Sequence, residues 1–258
     1  LYDEFDTIIA RSGAEKGSEG DDLLKSLLGK LGGDGALPWL KRRMLKLALS
    51  RPEITNRLVE EFSPRVSEDG CLCVLGWEGD RSLTQTAAAL GHAEIMRTGA
   101  KDLGEGPAQH WLRHRYSVSY KQSRIFTKGA FVDTMEVATT WDRLLGLYEA
   151  VRKAIAPHGF VMAHFSHAYP EGCSIYFTFV GSAQPHEAGK QGYERLWSEA
   201  LAAVTRAGGT ISHHHGVGRS KANFMREEHG TSLPLMSTLK GVMDPDSILN
   251  PGVLGLTT

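Results

Sequence analysis

Three consecutive histidines, His213, His214 and His215, run directly into Gly216-Val217-Gly218 in the last fifth of this chain. Histidine is the side chain that most readily takes up or releases a proton near neutral pH. Glycine permits sharp turns and lets the backbone lie close to a ligand. The segment therefore combines groups suited to acid and base chemistry with a backbone that can approach a flat ligand.

Three interpretations of the triplet are open: a metal site, a loop in which the imidazoles are packed hydrogen-bond formers, and an acid/base loop that contacts a ligand. Adjacent side chains on an extended segment point in opposite directions, so we expect His213 and His215 to share one face and His214 to serve the other. The spacing matches no recognised zinc pattern, and a metal site would need a further ligand. The nearest candidates for that ligand are His164, His167 and His229. We expect no metal and favour the acid/base loop.

A second group of polar side chains lies in a predicted hairpin of two strands, at residues 160–166 and 174–180. Alternation places Ile175, Phe177 and Phe179 on an apolar face. It leaves Tyr176 on the other face, and a turn near Pro170 puts His164 opposite it. Such a polar face can simply be the solvated side of a sheet, but a histidine and a tyrosine there also suit a surface that meets a polar ligand.

Hydrophobic periodicity predicts the elements that position these groups. We expect helices at about 80–97, 141–156, 185–207, 225–229 and 234–242, with further short helices before residue 70. We expect additional strands at 71–77 and 129–137 and a short one before the histidines. This order predicts an α+β fold, with an antiparallel or mixed sheet covered by helices on one face, a helical N-terminal insert and a helical C-terminal tail.

Composition limits the class of partner. The 258 residues are 41% hydrophobic and carry a formal net charge of −1, which is typical of a soluble globular protein without the basic excess that nucleic acid calls for. We therefore expect a small-molecule substrate and no nucleic acid partner. Cys71, Cys73 and Cys173 show no disulfide framework, which favours a reducing, cytoplasmic location. The first residues lack the features of a signal peptide and an initiator methionine, so we expect a fragment of a longer protein.

Four segments together resemble a known family. They are Ser212–Arg219, Asp133–Glu136 followed by Trp141-Asp142-Arg143, Cys173–Phe177, and the ending Asp244–Gly252. In combination they resemble the C-terminal part of FAD-linked oxidases of the vanillyl-alcohol oxidase type. The branch that they resemble most is alkyldihydroxyacetonephosphate synthase with its bacterial relatives, and the match runs from about residue 70 to the end.

The resemblance implies a set of site residues. It implies FAD as cofactor, a catalytic tyrosine at Tyr176, and the histidine triplet beside flavin and substrate. With the hairpin, this gives Tyr176, His213, His215 and His164 as candidate catalytic residues. The candidate cofactor contacts are His214, Gly216, Gly218 and Asn250. The cation for an anionic substrate group is expected at Lys121 or Arg124, where the match is loose.

The resemblance also implies a domain organisation: a helical insert or linker at 1–69, a cap or substrate domain at 70–212, and the histidine loop with C-terminal helices at 213–258. In such enzymes a separate N-terminal domain grips most of the FAD. We therefore expect this chain to pack against that absent domain, to be inactive alone, and to belong to a possible homodimer.

Two chemistries follow from the resemblance, and one alternative stays open. The first is an exchange of an acyl for an alkyl group on dihydroxyacetone phosphate at flavin N5. The second is oxidation or dehydrogenation of a hydroxy acid or an alcohol. The alternative is a flavin-free binding or interaction module that retains the cap fold.

Overall fold

Three antiparallel strands carry the candidate site in the computed structural model, which describes residues 1–3, 7, 49–57, 70–116, 123–126 and 129–256. Strand β1 is Ala130–Thr140, β2 is Phe160–Ala168 and β3 is Gly172–Ser182. The strand order is β1-β3-β2, so β3 is hydrogen-bonded on both edges. The predicted hairpin is confirmed as β2 and β3, and the sheet is antiparallel rather than mixed.

Five of the helices whose bounds the structure describes follow the predicted bounds closely, whereas the helices at 106–114 and 123–126 were not predicted. The helices are α1 Arg81–Met96, α2 Gly106–His114, α3 Ser123–Phe126, α4 Leu144–Ile155, α5 His186–Arg206, α6 Met225–His229 and α7 Ser232–Met243. Short 3-10 turns lie at Trp141–Arg143, Ala222–Phe224 and Val253–Gly255. The start of α1 has a clear local cause, because the side chain of Asp80 accepts hydrogen bonds from the backbone N–H groups of Ser82 and Leu83.

The main core lies between the sheet and the pair α4 and α5. Phe177 and Phe179 of β3 point into it and are fully buried. The helices contribute aliphatic side chains at helical spacing, namely Leu147, Val151 and Ile155 from α4 and Leu196, Leu201 and Val204 from α5. The prediction of an α+β fold with helices over the apolar sheet face is confirmed.

Residues 71–77 correct the prediction of a buried strand. No element of the described residues pairs with them as a strand, and most of their side chains are at least partly exposed. Leu72 is buried, and its carbonyl oxygen accepts a hydrogen bond of 2.9 Å from the backbone of Tyr2. A short apolar run forms a strand only where a neighbouring strand satisfies its backbone, and this run lacks one among the described residues.

The segment before the histidines is also shorter than predicted. It forms a single bridge between Thr210 and Ala138. The helical insert predicted for residues 1–69 lies largely outside the described residues. Among the helices that the structure describes, none is both long enough and apolar enough to cross a bilayer.

Candidate functional site

The sheet face opposite the core carries one row of polar side chains across all three strands. Glu136 of β1 pairs with Tyr176 of β3, and Tyr176 pairs with His164 of β2. The rings of His164 and Tyr176 stack with centroids 4.7 Å apart and planes 19° apart. The sequence-based prediction that His164 lies opposite Tyr176 is confirmed, because alternation with a period of two fixes which residues share a face.

The backbone of the histidine loop, residues 212–218, is anchored on the carboxylate of Glu136. This side chain is fully buried. Its Oε2 atom accepts backbone hydrogen bonds from His213 and His214, each 3.0 Å long. Burial by itself raises the pKa of Glu136, but the two backbone N–H donors and the adjacent imidazoles lower it further than burial raises it. Glu136 is therefore ionised at neutral pH and holds the loop over the polar face.

The loop corrects the expectation that His213 and His215 share a face. His213 and His214 turn together toward Glu136, with Nδ1 atoms 2.9 and 3.0 Å from its Oε1. His215 points elsewhere and meets Tyr176 edge-on, with ring centroids 5.1 Å apart. The cause is the backbone, which bends at each of the three histidines instead of running extended, so strict alternation does not apply.

His215 and Tyr176 form a ring contact on the polar face of the sheet. Burial lowers the pKa of His215, and the neighbouring His214 lowers it further. A neutral imidazole has one nitrogen that can accept a proton and one that can donate it. The pair therefore places a proton acceptor beside a phenol on the face that also carries His164.

Gly216 and Gly218 leave open space beside the loop. Their φ angles are 77° and 56°, in the left-handed region that favours glycine. No atom lies within 4 Å of the position that a Cβ would take at either residue. A flat aromatic ligand can approach the backbone here, so the loop has room for the flavin ring that the family resemblance implies beside it.

The predicted cofactor contact Asn250 is tied to the histidine loop through its neighbour. Arg219, directly after the loop, donates a hydrogen bond of 2.7 Å from Nη2 to the carbonyl of Pro251. Asn250 is exposed and has a φ of 46°. The ending and the histidine loop, recognised separately in the sequence, thus lie together.

The described residues do not test the two predicted substrate cations. Lys121 lies outside the described residues. Arg124 belongs to α3, which packs through Ile125 against Ala130 and Val132, at the end of β1 away from Glu136. Their role as anion ligands stays a prediction.

Sequence reasoning gave no role to three residues that the structure places at the site, and it named a fourth, His167, only as a possible metal ligand. His167 has ring centroids 5.5 and 5.1 Å from His213 and His214. The ring centroids of Tyr169 and His213 are 5.5 Å apart. The others are Glu136 and Lys221. A carboxylate in the middle of an apolar strand was the signal that could have identified Glu136.

Lys221 is a buried lysine whose charge interacts with Glu136. It is 4% exposed, and its Nζ has no hydrogen-bond partner among the described residues. Burial lowers its pKa, whereas the charges of Glu136, Glu228 and Asp133 oppose that shift. Its charge therefore depends on the surrounding carboxylates.

An open groove of about 460 Å³ continues from His213 along the hairpin turn. Its lining includes Tyr169, Glu171, Thr139 and Arg143. The groove adds a route along which a substrate could extend away from the row of polar side chains.

Comparison with known proteins adds a family to this geometry. Residues 41–254 match the family described as FAD linked oxidases, C-terminal domain. Alkyldihydroxyacetonephosphate synthase of Trypanosoma brucei brucei is 26% identical over 191 residues, which cover 71% of this chain and 31% of that protein. The synthase of Dictyostelium discoideum is 24% identical over 213 residues, covering 77% of this chain and 34% of that protein.

A bacterial relative points the same way. An uncharacterized FAD-linked oxidoreductase of Escherichia coli O157:H7, YgcU, is 27% identical over 172 residues, covering 63% of this chain and 34% of that protein. The chain thus spans about a third of the length of the curated relatives that it matches.

Proposed function

This chain belongs to the family of FAD linked oxidases, C-terminal domain, and we propose that it forms the substrate side of an FAD-dependent enzyme. The observation that carries the proposal is the polar row of Glu136, Tyr176 and His164 with the histidine loop bent over it. In that arrangement, Tyr176 meets an imidazole on each side, from His164 and from His215. Part of the protein beyond this chain would hold most of the FAD.

The described residues divide the work of such a site. FAD, when bound, supplies the hard chemistry, and the protein supplies binding, orientation and proton transfer. Tyr176 and His215 move protons at the phenol oxygen and at an imidazole nitrogen. His164 stacks on the Tyr176 ring and holds it in place. Gly216 and Gly218 let the loop backbone approach the ring system.

For the reaction, we favour exchange of an acyl for an alkyl group on dihydroxyacetone phosphate, as the names of the first relatives suggest. In that exchange the acyl group leaves as a carboxylate and a fatty alcohol enters after losing the proton of its hydroxyl. The pair of Tyr176 and His215 accepts that proton. The groove beside His213 offers space along which a long chain could extend.

A second candidate is oxidation of a hydroxy acid or alcohol, favoured by the FAD-linked oxidoreductase among the relatives. There the same pair takes the hydroxyl proton, and FAD, when bound, would accept a hydride from the carbon that bears the hydroxyl. Both reactions need one proton acceptor at the same place, so the described residues serve either.

Spectroscopy of the complete gene product tests the proposal. We expect a yellow protein with the absorption bands of oxidised flavin, stoichiometric in FAD. Anaerobic mixing with 2-hydroxy acids or alcohols separates the two reactions, since bleaching indicates oxidation. Exchange of labelled fatty alcohol into product without bleaching indicates the synthase-like reaction. A colourless complete protein that FAD does not reconstitute overturns the proposal and leaves a binding or interaction module with the cap fold.

A further inference from the structure

Four ligand-bearing side chains meet at one point under the histidine loop. Glu136, His167, His213 and His214 each present a carboxylate oxygen or an imidazole nitrogen, and these atoms all lie within 4.8 Å of one another. They come from three separate places in the chain: β1, the end of β2 and the loop. Folding alone therefore assembles the group.

The distances among three of the atoms describe a nearly equilateral triangle. Oε1 of Glu136 lies 2.9 Å from Nδ1 of His213 and 3.0 Å from Nδ1 of His214. The two Nδ1 atoms are 3.1 Å apart. A tetrahedral zinc ion with bonds of about 2.0–2.1 Å has ligand atoms separated by about 3.3 Å. The triangle has nearly the size of one face of that tetrahedron.

The carboxylate oxygen at this triangle lacks a hydrogen-bond partner. Glu136 is fully buried, and its Oε1 accepts no hydrogen bond among the described residues, although both imidazoles lie within 3.0 Å. The rings approach the oxygen without directing an N–H group at it. A buried, ionised oxygen without a donor is costly, and a cation bound between the three atoms would remove that cost.

We propose that Glu136, His167, His213 and His214 bind one divalent transition-metal ion of the zinc type. Three imidazoles and one carboxylate form a ligand set that suits Zn²⁺ and related ions. His167, at the end of β2, supplies the fourth ligand atom. The site needs no flavin, so it stands independently of the proposed reaction.

The surroundings hold these ligands in the way that metal sites require. Oε2 of Glu136 is fixed by the two backbone N–H groups of the loop, which leaves Oε1 for the ion. Nδ1 of His167 lies 3.3 Å from the hydroxyl of Ser174, which is fully buried in β3. Such contacts set the orientation of the carboxylate and of the imidazole before an ion binds.

Metal binding by the chain tests this proposal. The chain is prepared without a polyhistidine tag, stripped with a chelator, and titrated with Zn²⁺ in competition with a chromophoric chelator. We expect one equivalent to bind with a dissociation constant below about 1 µM. Co²⁺ in place of Zn²⁺ is expected to give the intense visible absorption of tetrahedral coordination. His167→Ala and Glu136→Gln should each weaken Zn²⁺ binding at least about tenfold.

His215→Ala is the matched control, because His215 belongs to the same triplet but not to the cluster. It should leave Zn²⁺ affinity within about twofold of the wild type. If His215→Ala weakens binding as much as His167→Ala, the ion is held by a run of histidines and the proposed site is wrong. The proposal is also wrong if the chain binds no Zn²⁺ at about 10 µM, because the expected dissociation constant is below about 1 µM. It is equally wrong if His167→Ala binds Zn²⁺ with wild-type affinity. His167 is exposed at the end of β2, so its variant should fold even if Glu136→Gln does not.

Discussion

The carboxylate of Glu136 accepts a 3.0 Å hydrogen bond from the backbone of His213, which lies 77 residues later in the chain. One buried side chain in β1 therefore decides where the histidine loop lies. The shape of the candidate site depends on this hydrogen bond and on the equivalent one from the backbone of His214, rather than on the loop sequence alone.

Glu136→Ala should destabilise the fold. The substitution leaves two backbone N–H donors without their acceptor. We expect the loss of both hydrogen bonds to the buried carboxylate to lower the free energy of unfolding by about 1–3 kcal/mol in total. Urea unfolding in chelator-containing buffer measures this without any metal. Glu199→Ala is the control, because Glu199 meets His158 at the surface and should contribute at most about 1 kcal/mol. Equal losses in both variants would mean that Glu136 does not anchor the loop.

Tyr176→Phe should lower turnover of the complete flavoprotein by about 10²–10⁴-fold if the phenol carries protons. The ring and its stacking on His164 remain, so FAD content should stay at the wild-type level. Steady-state kinetics together with the flavin absorbance measure both. Unchanged kcat in a protein that retains its FAD would remove Tyr176 from the proton-transfer role.

Tyr193→Phe separates stability from catalysis. Tyr193 donates a hydrogen bond to Asp133 on the core side of the sheet, and Trp197 donates to the same carboxylate oxygen. Loss of a hydrogen bond to a charged group should cost about 1.5–3 kcal/mol in urea unfolding, with kcat unchanged. Tyr116→Phe, at a tyrosine that is 75% exposed, should cost less than about 0.5 kcal/mol. A stable Tyr193→Phe protein with reduced kcat would contradict this division.

Asp244→Asn should lower the Tm at neutral pH and lose that effect in acid. The ammonium of Lys240 and the backbone N–H groups of Leu249 and Ile248 lower the pKa of Asp244 below its usual value. A carboxylate with a lowered pKa in the folded state stabilises above its unfolded pKa of about 3.9, and the stabilisation is lost as the pH falls through the folded pKa.

Thermal unfolding of wild type and Asp244→Asn between neutral pH and about pH 2.5, below the usual carboxylate pKa, checks this. The difference in Tm should narrow only below about pH 4. Asp246→Asn, an exposed change in the same turn, is the control and should leave Tm unchanged at every pH. A constant difference for Asp244→Asn across the whole range would show that its charge contributes nothing.

The local pattern of the sequence was sufficient for the hairpin and for the main helices. Alternation in β2 and β3 predicted that His164 and Tyr176 are cross-strand neighbours, because the side-chain period of two leaves little freedom once the turn is fixed. The apolar run at 71–77 has the same local character as a buried strand. Its structure differs because strand formation depends on a partner, which local composition does not show.

The histidine loop could not be predicted in the same way. Strict alternation requires an extended backbone, and the loop departs from it because Glu136 binds two successive N–H groups. A contact between residues that lie 77 positions apart leaves no pattern in the local spacing of the residues. For the same reason sequence reasoning gave Glu136 no role and considered His167 only as one of three possible metal ligands. The importance of both residues depends on what the fold places beside them.

The position of β3 between β1 and β2 gives the two halves of the site different dynamics. Strand β3 is paired along both edges, so we expect amides around Tyr176 to exchange with solvent as slowly as the global unfolding of the domain. The bent loop has only its few anchors and should open locally with less free energy. We therefore expect Tyr176 to stay fixed while the histidines of the loop move relative to it.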